Sequence, residues 1–277
     1  MDVHLLEQAH SMISRELLDS YLLLRDMKPS TETYYRRIAN VYNKWAKGLS
    51  IKEFTPRTVS EFLATKQRSG KSSHYRRSLR SGLRALLTHS GASPAERVRP
   101  VKTDQLDPEA WTADEVMLLV NAVPEVVKPV MVDYWQQVIV VAYYTGASQI
   151  DIHELSRKNF FANGRVRYVR SKTGKLVTTA VPPEFVRMLP SRDPCWPLKT
   201  SREFFRVTFG KIVARARLKG TFKKLRKSSG TSVDILHPGM GHKHLGNSRK
   251  IFETHYFASK MVEMPIVLPA ILPEARR

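Results

Sequence analysis

From residue 11 to residue 87 apolar side chains return every three or four positions, and that rhythm leaves little besides helices for this part of the chain to form. Ile13, Leu17, Leu18, Tyr21 and Leu24 share one face over 11–24. The Lys28-Pro29 step interrupts them, and Ser30 is the expected N-cap of a second helix carrying Tyr34, Ile38, Val41, Tyr42 and Trp45. A third helix over 56–67 buries Val59, Phe62 and Leu63. A fourth, opened by Ser72 and Ser73, stacks Tyr75, Leu79, Leu83, Leu86 and Leu87. Helices of this length are marginal alone, so the four are expected to form one compact bundle over 1–92.

The rhythm lapses over 93–110, where Ser93-Pro94, Arg99-Pro100 and Pro108 give loop chemistry, and a linker is expected there. Thr112 followed by Glu115 has the form of a capping box and opens a helix burying Val116, Leu119 and Val120. A buried helix over 138–144 stops at Gly146, and another follows over 149–155. Only at 165–170 and 176–181 do β-rich segments appear, flanking Lys172-Thr173-Gly174-Lys175 as a hairpin would. Helices resume from Ser201 into the 250s. The expected fold is mainly α with a small β-sheet: a helical bundle, a linker, a second domain over 111–259 and an apolar tail over 260–277.

The chain carries 46 Lys and Arg against 25 Asp and Glu, a net +21, while 42% of it is hydrophobic. Those proportions fit folded domains with a polyanionic partner, because phosphate neutralisation releases counterions. On the fourth helix Arg76, Arg80 and Arg84 fall at i, i+4 and i+8. Lys66, Arg68, Lys71 and Arg77 add to the stripe, and no acid lies between Lys66 and Arg84. A solvated face usually interleaves glutamates, so phosphate contact is the expectation. No apolar run reaches the roughly 18–20 residues of a membrane span, and the first residues do not read as a signal peptide. Cys195 is the only cysteine, which leaves no disulfide framework and points to an intracellular, cytoplasmic protein. His237, His242, His244 and His255 fit no trusted zinc spacing, so neither a metal nor another cofactor is expected.

Four segments then resemble the tyrosine recombinases (phage-integrase type). Lys28-Pro29-Ser30-Thr31-Glu32-Thr33-Tyr34-Tyr35 is similar to the opening of their core-binding domain. Thr145-Gly146-Ala147-Ser148 is similar to their Thr-Gly-x-Arg segment, and Lys223-Lys224-Leu225-Arg226 to their His-x-x-Arg. Leu245-Gly246-Asn247 with Tyr256 nine residues on is similar to Leu-Gly-His and the nucleophilic tyrosine. The resemblance implies an N-terminal helical core-binding bundle plus a C-terminal catalytic domain, clamped on double-stranded DNA. It also implies integration or recombination by transesterification through a phosphotyrosine, without metal or cofactor.

By that resemblance Tyr256 stands at the nucleophile, Arg226 at the second arginine and Lys172 at the hairpin lysine that protonates the leaving 5′-oxygen. Three positions depart. Ser148 occupies the first arginine's place, Lys223 the first histidine's and Asn247 the second His/Trp's. A serine cannot grip two phosphate oxygens as a guanidinium does, and one charge-stabilising donor is worth on the order of 10²–10³ in rate. His153, Arg157 and Lys158 are the nearby candidates to compensate. Lys224 and Lys227 extend the basic run around Arg226 and are expected on DNA. The tail over 260–277 either packs on its own domain or joins subunits into a homo-oligomer. Two rivals stay open: a DNA-binding pseudo-recombinase without cleavage, and a basic RNA-binding protein, which lacks the aromatic sheet motifs of the common RNA modules.

Overall fold

The computed structural model describes residues 13–47, 54–91, 95–103, 109–189, 200–247 and 249–256, apart from the side chains of 254 and 255. Cys195 and the tail over 260–277, with its expected packing or subunit contact, lie outside the described residues. The chain divides into two compact units, Met1–Gln105 and Leu106–Arg277.

Among the described residues the first unit contains four helices: α1 (Arg15–Leu23), α2 (Pro29–Trp45), α3 (Pro56–Arg68) and α4 (Ser73–His89). Their starts follow local chemistry. Ser14 accepts from the Leu17 amide, Thr55 and Thr58 form a capping box, and Ser72 accepts from the Tyr75 amide. The N-cap of α2 is Lys28 rather than Ser30. Pro29 takes the first helical position, where its fixed φ is preorganised and its missing N–H is not needed. Tyr42, Phe54, Phe62 and Trp45 make an aromatic centre with ring centroids 5.1 to 5.7 Å apart. Ala95 and Val98, read from sequence as linker, are buried in this same core, and a short 3-10 turn over Ala95–Arg97 seats them.

Near the start of the second unit the Trp111 amide donates to Ser228 Oγ at 2.7 Å. Then come α5 (Ala113–Ala122), α6 (Val132–Thr145) and α7 (Gln149–Glu154). The Thr112–Glu115 capping box is present. Helix α6 is buried almost all round, as its sequence requires, and ends in Gly146 at φ +60. Strands β1 (Arg165–Val169) and β2 (Leu176–Ala180) pair antiparallel, Arg165 opposite Ala180 and Val169 opposite Leu176. After α8 (Pro183–Met188) come α9 (Arg202–Arg215), α10 (Lys223–Leu236), α11 (Gly241–His244) and α12 (Arg249–His255).

Helix α10 packs against both α6 and α11, and its sequence explains how closely. Ser228, Ser229, Gly230, Thr231 and Ser232 form a run of small buried residues. A Cβ at Gly146 would collide with Leu245 Cδ2, and one at Gly230 would crowd Leu245 Cδ1. Those two glycines therefore open the seat that Leu245 fills. Among the described residues, no helix is long and apolar enough to cross a membrane.

Candidate active site and basic surfaces

In the second unit three of the residues matched on motifs, Ser148, Lys223 and Arg226, line one cavity of about 430 Å³, and Lys172, Asn247 and Tyr256 are not part of its lining. Thr221 joins the three over an apolar floor of Phe205 and Phe209. Phe205 and Phe209 pack edge-on against Phe222, which fixes the start of α10. Lys223 Nζ lies 5.5 Å from the Tyr256 ring centroid, and the Arg226 guanidinium carbon lies 5.4 Å from it. Both cations thus meet the negative face of the phenol ring. The Tyr256 carbonyl accepts from Thr231 Oγ1 at 3.1 Å, so α10 holds the tyrosine by its backbone as well.

Arg226 is only 3% exposed. Its guanidinium donates to the Gly146 carbonyl and, at 2.6 Å, to the Leu245 carbonyl. Position 148 is engaged differently from an arginine: Ser148 Oγ donates to Asp151 Oδ2 at 2.6 Å and the Ser148 amide to the same oxygen at 3.1 Å. The other Asp151 oxygen accepts from the Ser171 amide at 2.9 Å. One buried carboxylate therefore ties the start of α7 to the start of the hairpin turn.

Immediately before Ser171 stands Arg170, which the sequence reading passed over as the end of a β-rich segment. It is 7% exposed. A single terminal nitrogen, Nη1, lies 3.2 Å from the Leu245 carbonyl, the Gly246 carbonyl and Asn247 Oδ1. The Leu245 carbonyl is thus shared by Arg170 and Arg226. Burial, and then the neighbouring Arg226 charge, draw the Arg170 pKa down from its usual value, with Asp151 opposing. Among the described residues neither guanidinium forms an ion pair. The Nε atoms of both are buried without a hydrogen-bond partner, as is Asn247 Nδ2. Tyr168, on β1 near both cations, is pushed up to about 12 by burial.

Two of the three expected compensators are engaged elsewhere. His153 packs edge-on against Phe205 at 5.1 Å, its pKa lowered by burial and by Arg202, and Arg157 donates to the Phe160 carbonyl. Lys158 is exposed, and so is Lys172 in the hairpin turn. Lys224 pairs with Glu109 at 2.8 Å and lies 5.6 Å from the Trp111 ring centroid, so it braces the unit's first residues. Half-buried Lys227 has its pKa drawn down by burial and by Lys223. His244 bridges Thr179 (Nδ1, 3.2 Å) and Ser229 (Nε2, 2.7 Å), linking β2, α10 and α11. Enclosure pushes its pKa down to about 4, and Arg226 adds to the effect. Among the described residues no group of three or more His, Cys, Asp or Glu is placed to hold a metal ion.

In the first unit the arginine stripe of α4 is partly tied to the chain itself. Arg80 donates to the carbonyls of Val98 and Arg99, both at 2.8 Å, and Arg84 to that of Ala95 at 3.2 Å. These bonds dock residues 95–99 on the bundle, a task the sequence reading did not assign to them. Arg76 reaches Gln67 at 2.6 Å, and Arg77 reaches Thr103 at 3.4 Å. Lys66 lies 5.1 Å from the Phe62 ring centroid, and Arg68 and Lys71 are exposed. Arg57, Arg99 and Lys102, missed because they are far apart in sequence, join Arg76 around a groove of about 560 Å³ that also contains Glu61.

No protein-family model and no curated protein sequence matches the chain. Solved structures do. A lambda integrase dimer bound to a COC′ core site is similar with a TM-score of 0.73 and 16% identity, over 96% of this chain and 83% of that one. The Tn1549 transposon integrase in complex with a circular intermediate DNA gives 0.70 and 12%, over 90% and 95%. The XerH site-specific recombinase bound to a palindromic difH substrate gives 0.67 and 14%, over 90% and 82%. The fold is that of the tyrosine recombinases, mainly α with a small sheet.

Proposed function

We propose that this chain binds double-stranded DNA and breaks and rejoins it through a tyrosine–phosphate intermediate, in integration or site-specific recombination. The observation that carries this reading is the convergence of Lys223, Arg226 and Ser148 on one cavity, with the Tyr256 ring under the two cations. The DNA-bound integrases and recombinases that share the fold support it, as does the net +21 charge.

Tyr256 Oη attacks the phosphorus, forming a P–O bond as the P–O5′ bond breaks. The phenolic proton passes to water, and Lys172 donates a proton to the departing 5′-oxygen. Arg226 and Lys223 offset charge on the non-bridging oxygens. Attack by a 5′-hydroxyl on the phosphotyrosine reverses the sequence and reseals the strand. The basic groups of the first unit, including Lys66, Arg68, Lys71 and Arg77, hold backbone phosphates.

A second reading, a DNA-binding pseudo-recombinase, draws on one observation: Ser148 has its hydroxyl engaged by Asp151 and offers no cation to phosphate. Nicked duplexes of random sequence separate the two. Incubated with the chain and denatured, they should yield a covalent protein–DNA adduct whose sequencing reports the target and which Tyr256→Phe abolishes. Tight, salt-sensitive binding with no adduct favours the pseudo-recombinase. Preference for single-stranded RNA would sink both.

A further inference from the structure

The two buried arginines raise a question that their carbonyl contacts do not answer. Arg170 and Arg226 come from different elements, the end of β1 and the first turn of α10, yet both donate to the one oxygen of Leu245. Carbonyls are neutral dipoles, and two guanidiniums sharing one of them still repel in a poorly solvated interior. Asp151 is the nearby carboxylate, but its oxygens are engaged by Ser148 and Ser171. Two cations and one carboxylate leave the cluster one positive charge in excess, the complement of a phosphodiester monoanion. The buried, unpartnered Nε atoms of both arginines are donor capacity that the protein itself does not fill.

Location agrees with charge. Asp151 binds the residue at the vacated arginine position with one oxygen and the residue after Arg170 with the other. The carboxylate therefore brings the β1 end beside the place where Ser148 supplies no cation. Arg226 lines the cavity and also lies 5.4 Å from the Tyr256 ring centroid.

We propose that Arg170 is the second phosphate-facing arginine of this chain, doing from the β1 end what Ser148 cannot. The inference rests on the transesterase reading above. In the structure the Leu245 and Gly246 carbonyls occupy the guanidiniums; on DNA the non-bridging oxygens of the reacting phosphate take their place, a charged acceptor displacing neutral ones. The rival is a positioning residue that only clamps Leu245–Asn247 and so keeps Tyr256 in register.

Neutralising the substrate distinguishes these. The target recovered by adduct sequencing is made with either a phosphodiester or an uncharged methylphosphonate at the cleaved position. Each is given to the wild type, Arg170→Met and Arg170→Lys, with thermal melting checking the fold of each variant. A phosphate-facing Arg170 predicts that Arg170→Met loses on the order of 10²–10³ in adduct rate on the phosphodiester but less than about tenfold on the methylphosphonate, where there is little charge to neutralise. Arg170→Lys should fall between, keeping charge without the fork. Equal losses on both substrates would overturn the assignment and leave a clamp. If the wild type traps no DNA, the transesterase reading fails, and the anion site is read with inorganic phosphate alone. Phosphate, but not chloride at matched ionic strength, should then raise the wild-type melting temperature and leave Arg170→Met unmoved, with Arg170→Lys between them. No rise, or an equal rise in the variants, overturns the site.

Discussion

The two units use arginine in opposite ways. In the first, Arg76, Arg80 and Arg84 lie along one helix at the spacing that makes a stripe; Arg80 and Arg84 donate to carbonyls of residues 95–99, and Arg76 to Gln67. In the second, Arg170 and Arg226 stand 56 positions apart (226 minus 170) in sequence yet share one buried carbonyl. A stripe is written in the local period of one helix. A converging pair is written in the packing of a strand end, a helix start and the turn between two further helices, and no local period carries it. Surface charge can be read along a chain; buried charge has to be assembled before it can be seen.

The sharpest test of that contrast removes one arginine from each unit. Arg226→Ala should lower adduct yield by about 10²–10³, since it takes away a buried donor to the reacting phosphate. Arg84→Ala should leave the cleavage rate of bound DNA unchanged. Quantified denaturing gels at saturating protein make the comparison, and equal losses would break it.

Acid should separate the units next. His244 is held at about 4 against an ordinary 6.5. Its folded pKa is depressed, so the stability it contributes is present above about pH 6.5 and is lost as pH falls toward 4. At about 1.4 kcal/mol per unit this is at most roughly 3 kcal/mol. Chemical denaturation between pH 7 and 4 should show the second unit weakening over that window, and His244→Gln should flatten the response.

Within the first unit, Arg77 and Arg80 should part company. Exposed Arg77, changed to Ala, should reduce the salt slope of DNA binding by about 0.9, one phosphate's worth, with little change in melting. Arg80→Ala should instead cost about 1–2 kcal/mol of stability, because the carbonyls of Val98 and Arg99 lose a charged donor. Titration at several salt concentrations alongside denaturant melts reads both. Ser148→Arg should change adduct yield far less than Arg226→Ala does. With Arg170 already supplying the second guanidinium, its gain in adduct should be less than about tenfold, whereas in an Arg170→Met background it should restore a larger share of the 10²–10³ lost.

Much of the framework was legible from sequence for a physical reason. Helix faces, the Thr112–Glu115 capping box, the stop at Gly146 and the hairpin around Lys172 all depend on residues within a few positions of each other. Ser30 was misplaced as a cap because Pro29 competes for the same turn and wins on its fixed φ. The segment over 93–110 looked like a linker because its few apolar residues lack a period, yet Ala95 and Val98 reach the core through a single 3-10 turn. At the candidate site the motif spacing led to Arg226 and Tyr256, whose guanidinium carbon and ring centroid lie 5.4 Å apart. Alternation along β1 would place Arg170 on the buried side with Val166 and Tyr168, but a guanidinium at a strand end reads as surface until Leu245–Asn247 is folded over it. Lys224 was legible only in part: its cationic neighbours in sequence suggest phosphate, and only folding shows it beside Glu109.

Leu245 joins two kinds of information that proteins usually keep apart. Its methyl groups fit the hollows left by Gly146 and Gly230, while its carbonyl receives both guanidiniums. The depth at which an apolar side chain seats therefore sets where positive charge is held, about one residue's width away. A single added methyl at either glycine would be transduced into a displacement of the electrostatic centre without any charged group being altered. Packing in this molecule thus works as a tuning screw for electrostatics, and sequence drift among small, uncharged residues of α10 would register as changes in anion handling.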